Sequence, residues 1–483
     1  MIKSNLLTLL KTFSPQEFKE FGEFVSSPYH NKNSKVTALY NVIKKCYPDL
    51  ESTSLEREKV FNRIYHGEEF RDSTLRLLMF YLYECARQFL LFKKITKDTI
   101  YSNIMLAYDM IDRDMLREAE KIINESYEMI NKLNLKDENY FWYKYLNDSE
   151  KLALHDKLYA GRYEKYMTGG VIAEQAKNLT DSYLLRILRL YTTVLNINTM
   201  YKTNFDLKYF KNIISAYTIG YYKDTPLLEM YFYTSCMLEN PDREENYFLL
   251  KELLFKAQED MGGETLTDLF INLENYCVRK GRSGIKKFDK ELFEIYKIEI
   301  DMKIYMHGKY MLPYFYKSAT ATALMVNEFE WAEKFVEDYK KELVPEYRES
   351  SYFHCLSRIH IAKKNYDKAL ECLSKVKSDE IYLKTETKLL FAYIYYELGI
   401  DDSLSSLLDT MRHFFKNDRF MADDRKNFYW DFIKILNKLS AAKFKSSPAG
   451  LFEIKELINS KEKLFLKNWL LEKANELENN AGS

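Results

Sequence analysis

The scarcity of glycine and proline is the feature that most limits how this chain can fold. Its 483 residues include only 14 Gly and 8 Pro. A sheet of many strands needs a turn about every 8–12 residues, and such turns rely on Gly and Pro, so these numbers argue against an all-β fold. Apolar residues make up 46% of the chain, which is enough for a continuous core and gives no compositional sign of disorder. We therefore expect an ordered, all-α protein.

The first 96 residues differ from the rest and are predicted to form a compact helical bundle that caps the remaining chain. The stretch 14–17, Ser-Pro-Gln-Glu, is a capping box with proline at the first helical position, so a helix should begin there and end near Val25. A second capping signal at 53–56 predicts another helix start. The apolar stretch over 72–95 predicts a long core helix.

Residues 97–445 are predicted to form an array of helical hairpins. In the segment SYFHCLSRIHIAKKNYDKALECLSKV, small and apolar residues recur where two helices would cross. The small-residue position returns at Ala332, Ala369 and Leu404, at intervals of 37 and 35 residues. Small residues let two backbones approach, while larger apolar ones fill the groove on either side. This pattern resembles the tetratricopeptide repeat, which has a period of about 34 residues.

The resemblance implies an α-solenoid of antiparallel helix hairpins, in which the first helix of each hairpin lines a concave groove. A further copy is predicted upstream in IMLAYDMIDRDMLREAEKIINESY, where Ala107 and Ala119 take the small-residue positions. Between 134 and 312 only helix pairs are predicted, without the motif. Residues 446–483 are predicted to be a linker, one capping helix over 451–478 and a frayed tail.

A second resemblance concerns the source of the chain and not its function. The N-terminal stretch FSPQEFKEFGEFVSSPYHNKN, and the chain as a whole, resemble a group of large uncharacterised bacterial helical proteins. Richness in Lys, Asn, Ile and Tyr fits a bacterial genome of low GC content. Because this resemblance implies no activity, function has to be argued from individual residues.

Charge and cysteine usage limit the partners and the compartment. Lys plus Arg, 72, equals Asp plus Glu, 72, so the chain lacks the overall basic charge typical of non-specific nucleic-acid binding. The most apolar stretch, 77–92, is too short to span a bilayer and contains Glu84 and Arg87. Six widely spaced cysteines without a Cys-x-x-Cys indicate reduced thiols in a cytoplasmic protein. We expect neither nucleic acid nor membrane as a partner.

Motifs for catalysis or cofactor binding are missing from the sequence. His354 and His360 are six residues apart and cannot share one helix face, and no His-Glu-x-x-His occurs. The glycine-containing turn at 281–284 lacks the spacing of a phosphate-binding loop, and no predicted strand precedes it. No Gly-x-Ser-x-Gly motif is present. The sequence therefore predicts a protein that is not an enzyme and has no cofactor or metal site. An active site of an unfamiliar helical type stays open as an alternative.

A non-catalytic protein-binding or peptide-binding scaffold is the interpretation that the repeats favour. In tetratricopeptide arrays, first-helix residues contact the ligand, and the resemblance gives seven residues this place. These candidate partner-binding residues are Tyr108, Lys317, His354, Arg358, Glu386, Tyr393 and Tyr396. Their aromatic and charged character suits a peptide with apolar side chains and some negative charge. The alternative is that they pack against neighbouring helices or face solvent.

Two other functions compete with this interpretation. Family members that bind chaperone tails hold a terminal carboxylate with Lys, Asn and Arg side chains at fixed positions, of which only Lys317 is present here. The main alternative is a regulator with an N-terminal helical DNA-binding unit and a peptide-sensing repeat array. Its best recognition helix carries Glu17, Glu20 and Glu23, which would repel DNA phosphates. The sequence predicts neither the identity of the partner nor the oligomeric state.

Overall fold

The chain is helical almost throughout and divides into two compact units. The computed structural model describes residues 4–159, 169–201, 205–217, 219–223, 225–257, 261, 263–377, 380–417, 421, 423–443, 448–461 and 464–481. The units are Met1–Arg186 and Ile187–Ser483. Helices adjacent in sequence pack in pairs, and the predicted all-α class is confirmed. Within the described residues, no helix combines the length and apolar character that crossing a bilayer requires.

The helices vary widely in length and are joined mainly by short turns. Those that begin in the first unit are α1 Asn5–Leu10, α2 Pro15–Ser26, α3 Ser34–Lys44, α4 Arg57–Ile64, α5 Asp72–Lys97, α6 Thr99–Asp112, α7 Leu116–Asn131, α8 Glu138–Leu158 and α9 Gly169–Tyr201. The others are α10 Lys208–Ile214, α11 Ile219–Lys223, α12 Pro226–Glu239, α13 Glu245–Ala257, α14 Gly263–Arg282, α15 Lys287–Asp301, α16 Pro313–Met325, α17 Phe329–Tyr339, α18 Arg348–Ala362, α19 Tyr366–Ser374, α20 Ile381–Leu398, α21 Asp401–Asn417, α22 Asp423–Ala442, α23 Pro448–Asn459 and α24 Lys467–Ala481. A short antiparallel hairpin, β1 Met306–His307 with β2 Tyr310–Met311, precedes α16.

Helices α1 to α5 close around one hydrophobic core. The predicted capping box at the start of α2 is confirmed: the Ser14 hydroxyl accepts a hydrogen bond from the Glu17 amide at 3.1 Å, and the Glu17 carboxylate accepts one from the Ser14 amide at 2.9 Å. Gly22 faces the Tyr40 ring so closely that an added Cβ would lie 2.4 Å from the Tyr40 hydroxyl oxygen. That hydroxyl donates to the Phe18 carbonyl at 2.8 Å. The packing of α2 against α3 therefore depends on glycine at position 22.

The second predicted capping signal, at 53–56, does not start an α-helix. Residues Thr53–Leu55 form a 3₁₀ turn, and α4 begins only at Arg57, after Glu56. The reason is local, because the Ser52 hydroxyl accepts a hydrogen bond from the Ser54 amide at 3.2 Å and holds the tighter turn in place.

The single final helix predicted over 451–478 is also wrong, since α23 and α24 take its place. The chain reverses at Leu466, where φ is 48°. The Lys467 ammonium then donates to the Lys461 carbonyl at 2.7 Å and to the Asn459 carbonyl at 3.4 Å. These bonds satisfy carbonyls at and just beyond the end of α23, so two helices replace one.

Glycines begin two of the helices. Residues 169–170 form the first turn of α9, and Gly263 begins α14. Gly284, with φ of 86°, does form the predicted turn between α14 and α15. Residues 446–447 of the predicted linker lie outside the described residues.

The same turn closes several helical hairpins. In each, one residue with a left-handed backbone follows the first helix, and the amide of the next residue donates to the carbonyl five positions before it, as in a Schellman motif. The hairpins are α6–α7, α14–α15, α16–α17, α18–α19 and α20–α21, and the left-handed residues are Asp114, Gly284, Asn327, Lys364 and Gly399. The corresponding amides are those of Met115, Ile285, Glu328, Asn365 and Ile400, with donor–acceptor distances from 2.8 to 3.2 Å.

Small residues, with Leu404 as the one large exception, lie buried in the two helices of these hairpins. In four hairpins, two fully buried residues are 12 positions apart, one on each helix. The pairs are Ala107 with Ala119, Thr320 with Ala332, Ser357 with Ala369, and Ala392 with Leu404, all at 0% exposure. Since a large side chain at a crossing would push the helices apart, this spacing accounts for their close packing.

Candidate functional site

Four of the seven predicted binding residues come together on α16, α18 and α20. The Lys317 ammonium lies 3.8 Å from a carboxylate oxygen of Glu380, the residue that precedes α20. Nε2 of His354 lies 3.9 Å from a carboxylate oxygen of Glu386. Arg358 is one helical turn beyond His354 on α18. We call Lys317, His354, Arg358, Glu380 and Glu386 the charged row.

His354 is the buried member of the charged row, with 1% exposure. Burial, together with the positive charges of Arg358 and Lys317, lowers its pKa to about 3, so the imidazole is neutral at pH 7. Neither ring nitrogen has a hydrogen-bond partner among the described residues. At 3.9 Å from Nε2, the Glu386 carboxylate is too distant to form a hydrogen bond with this ring.

Glu386 is held in place from a third helix. Its side chain is 29% exposed, and the Tyr429 hydroxyl of α22 donates to Oε1 at 3.0 Å. Oε2, the other oxygen, points towards His354. The carboxylate is therefore positioned by residues on both sides and still reaches solvent.

Arg358 is the cationic member of the charged row that has no ion pair or side-chain hydrogen bond inside the described part of the chain. The residue as a whole is half-buried. A guanidinium carries five donors in a planar fork that fits a carboxylate or a phosphate. Of the predicted residues, Arg358 is thus the one with unused capacity to bind an anion.

Tyr393 and Tyr396 lie in a different environment. Their rings pack on Trp469 of α24, with centroid distances of 4.6 and 5.4 Å. Tyr396 is 5% exposed, and Lys443 lies 3.9 Å from its ring centroid. The structure therefore places both rings in helix packing, which is the alternative that the sequence left open for them.

Tyr108 belongs to the first unit and is described separately. It lies on α6 and is 54% exposed. Nearby on the same helix, Met105 and Leu106 are 40% and 43% exposed. Its accessibility is compatible with ligand contact, which stays a prediction.

Two lysines that flank the turn at 281–284 are paired within the protein. The Lys280 side chain is 7% exposed, and its ammonium donates to the Pro241 carbonyl at 3.2 Å and lies 3.4 Å from the Glu244 carboxylate. Lys287 pairs with the other oxygen of Glu244. These contacts connect the two flanking lysines to the segment between α12 and α13.

Comparisons with known proteins add no family to this description. No family model, curated protein or solved structure matches the chain. Nor do the described residues contain a group of three or more His, Cys, Asp and Glu side chains placed to hold a metal ion. The candidate site consequently depends on its own geometry.

The sequence did not indicate Glu380, a member of the charged row, or Tyr429, which donates a hydrogen bond to Glu386. Glu380 lies in the loop before α20, where a repeat register assigns no position. Tyr429 stands on α22, 43 residues after Glu386. This interval is longer than the spacing of 35 to 37 residues found in the sequence, so no periodic signal indicated Tyr429.

A pair of buried carboxyl groups was also missed. Glu299 on α15 is 2% exposed and hydrogen bonds with Glu274 on α14. Burial raises the pKa of both groups above the ordinary Glu value, and repulsion by Glu274 raises that of Glu299 further. Oε2 of Glu299 has no partner among the described residues. Because one proton between the two oxygens relieves the repulsion, Glu299 stays neutral at pH 7.

Proposed function

We propose that this protein is a non-catalytic scaffold that binds an acidic segment of a partner protein along the charged row. In this proposal, residues 97–445 form a tetratricopeptide-like array, 1–96 cap its start and 446–483 cap its end. The repeated Schellman turns and the buried pairs 12 residues apart support the array, because both recur in hairpins from α6 to α21.

The unpaired guanidinium of Arg358 is the observation that carries the proposal. Lys317 and His354 each face a carboxylate, whereas Arg358 faces none among the described residues. A guanidinium without a counter-ion can form charge-assisted hydrogen bonds with an incoming carboxylate and does not first have to give up an existing ion pair. An Asp or Glu side chain of the partner would supply that carboxylate.

The cysteines support a reducing compartment such as the cytoplasm. All six are free thiols, and four of them are buried. Secreted proteins of this size usually pair their cysteines. We therefore place the scaffold in the cytoplasm of a bacterium, in keeping with the low-GC character of the sequence.

A peptide-binding experiment tests the proposal directly. The full chain is titrated into fluorescent peptides of fixed length that contain zero, two or four Glu residues among aromatic and aliphatic ones, and binding is followed by anisotropy. We expect affinity to rise with the number of Glu residues and to fall with salt. The Arg358→Glu variant should bind the most acidic peptide at least about tenfold more weakly.

The matched control is Arg412→Glu on α21, which removes an exposed arginine that pairs with Asp409 at 3.1 Å. This variant should bind like the wild type. Equal loss in both variants would mean that only net charge matters, and unchanged binding by Arg358→Glu would exclude Arg358 from the site. Tyr393→Ala tests whether Tyr393 also contacts the peptide. If its ring serves packing alone, removing the ring should lower the stability of the protein and leave peptide affinity unchanged.

A further inference from the structure

Helix α5 carries an apolar stripe whose side chains are each more than two-fifths exposed within the part of the chain that the structure describes. Leu77, Phe80, Tyr81, Leu91, Phe92 and Ile95 are exposed by 51, 54, 44, 61, 53 and 42% of their surface. At 3.6 residues per turn, all six lie within about 60° of one line along the helix. The opposite face of α5, which includes Leu75, Leu78 and Leu82, is buried in the core of the first unit. The stripe is therefore separate from the charged row and from the face that stabilises the fold.

The order of residues along this stripe is nearly symmetric about its midpoint. Apolar side chains occupy both ends, and the polar Glu84 and Gln88 lie at the centre. When two copies of α5 are placed antiparallel with the midpoint at Ala86, Leu77 faces Ile95, Phe80 faces Leu91, and Tyr81 faces Phe92. At the centre, Glu84 faces Gln88. Each apolar residue thus meets an apolar one, and each polar residue meets a polar one.

We propose that the α5 stripe is a homodimer interface, occupied by α5 of a second copy of this chain in antiparallel orientation. An isologous interface requires one patch that is complementary to itself under a two-fold rotation, and the arrangement about Ala86 fulfils that condition. Arg87, which lies 2.8 Å from Glu84 within one chain, also comes beside Glu84 of the second copy. The two acidic groups at the centre therefore meet two arginines and two amides.

The area of the stripe is sufficient for a dimer of this kind. The exposed parts of the six apolar side chains amount to roughly 600 Å² per chain, so two facing copies would bury on the order of 1,200 Å². That is the lower end of the range for specific interfaces, before flanking polar residues are added. Patches of several hundred Å² on a protein surface commonly mark an interaction site.

The oligomeric state of the full chain gives the first test. Light scattering coupled to size exclusion should give twice the chain mass of 57.8 kDa at micromolar concentration. Leu91→Glu places a charge opposite Phe80 of the second copy and should raise the dissociation constant at least about tenfold. Because Leu91 is 61% exposed, folding should be unaffected, with an unchanged far-ultraviolet circular dichroism spectrum. Leu249→Glu on α13, which is 40% exposed, is the matched control and should remain dimeric.

Cross-linking tests the antiparallel register. A mixture of Leu77→Cys and Ile95→Cys chains should form a disulfide-linked dimer on mild oxidation. Either variant alone should not, because two copies of the same residue would lie about 27 Å apart along the helices. A monomer at all concentrations, a dimer insensitive to Leu91→Glu, or equal cross-linking within each single variant would overturn the proposal. A chain that is monomeric alone but uses α5 to bind a different protein would overturn it as well.

Discussion

Replacing Glu299 by glutamine should stabilise the protein at neutral pH. An unfolded chain releases the proton of this glutamate near the ordinary pKa of 4.5, whereas the folded chain keeps it to higher pH because the group is buried beside Glu274. Each pH unit in that interval costs the folded state about 1.4 kcal/mol. Over the interval from pH 4.5 to pH 7 the cost is on the order of 3–4 kcal/mol, and glutamine, which needs no proton, avoids it.

The sign of the pH dependence makes this expectation specific. A raised carboxyl pKa leaves stability intact below about pH 4.5 and removes it progressively as pH rises towards the folded-state pKa. The advantage of Glu299→Gln in the free energy of unfolding, measured by urea denaturation, should therefore be larger at pH 8 than at pH 5.5. Circular dichroism provides the signal, and both proteins must show the same denaturant slope for the comparison to hold.

Glu294→Gln is the matched control on the same helix. Its side chain is 53% exposed and pairs with Lys297 at 2.7 Å, so the change should alter stability by less than about 0.5 kcal/mol. If Glu299→Gln destabilises the protein at pH 7, or if its effect is the same at both pH values, Glu299 is ionised in the folded protein. In that case burial does not raise the pKa of Glu299 enough to keep it protonated at pH 7.

Three further substitutions test packing by urea denaturation. Gly22→Ala brings a methyl group against Tyr40 and should cost about 1–3 kcal/mol, whereas Gly170→Ala, with open space around it, should not destabilise. Ser14→Ala removes the hydrogen bond to the start of α2 and should cost about 1 kcal/mol, which Ser14→Asp should largely restore. Trp469→Ala uncovers two tyrosine rings and should cost about 3 kcal/mol, with faster nitration of tyrosine as a second measurement. Unchanged stability in any of the three would show that the contact concerned is not formed in solution.

Local signals were the part of the fold that the sequence could predict. The start of α2 follows from Ser14, Pro15 and Glu17, because a capping box is complete within four residues. The burial of Ala332 and Ala369 could be predicted from their spacing in the sequence, because each place where two helices cross closely favours a small residue. In both cases the information lies in residues close together in the chain.

Features that depend on distant partners could not be predicted in this way. Trp469 covers Tyr393 only because α23 and α24 turn back towards α20, and that turn depends on Leu466 and Lys467. Glu299 looks like any other charged residue of an amphipathic helix until its neighbours are known. The same holds for Glu380, whose loop position carries no periodic signal.

The repeated hairpin turns also bear on how the chain acquires its structure during synthesis. Ala107 and Ala119 share one core cluster although only one turn separates their helices, so closing this hairpin involves a short loop and a small loss of chain entropy. Proteins dominated by such local contacts fold quickly. Each hairpin can therefore form as soon as its second helix leaves the ribosome, before the next one has been translated. Little apolar surface then stays exposed until a distant part of the chain has been synthesised, which limits the time in which nascent chains could aggregate.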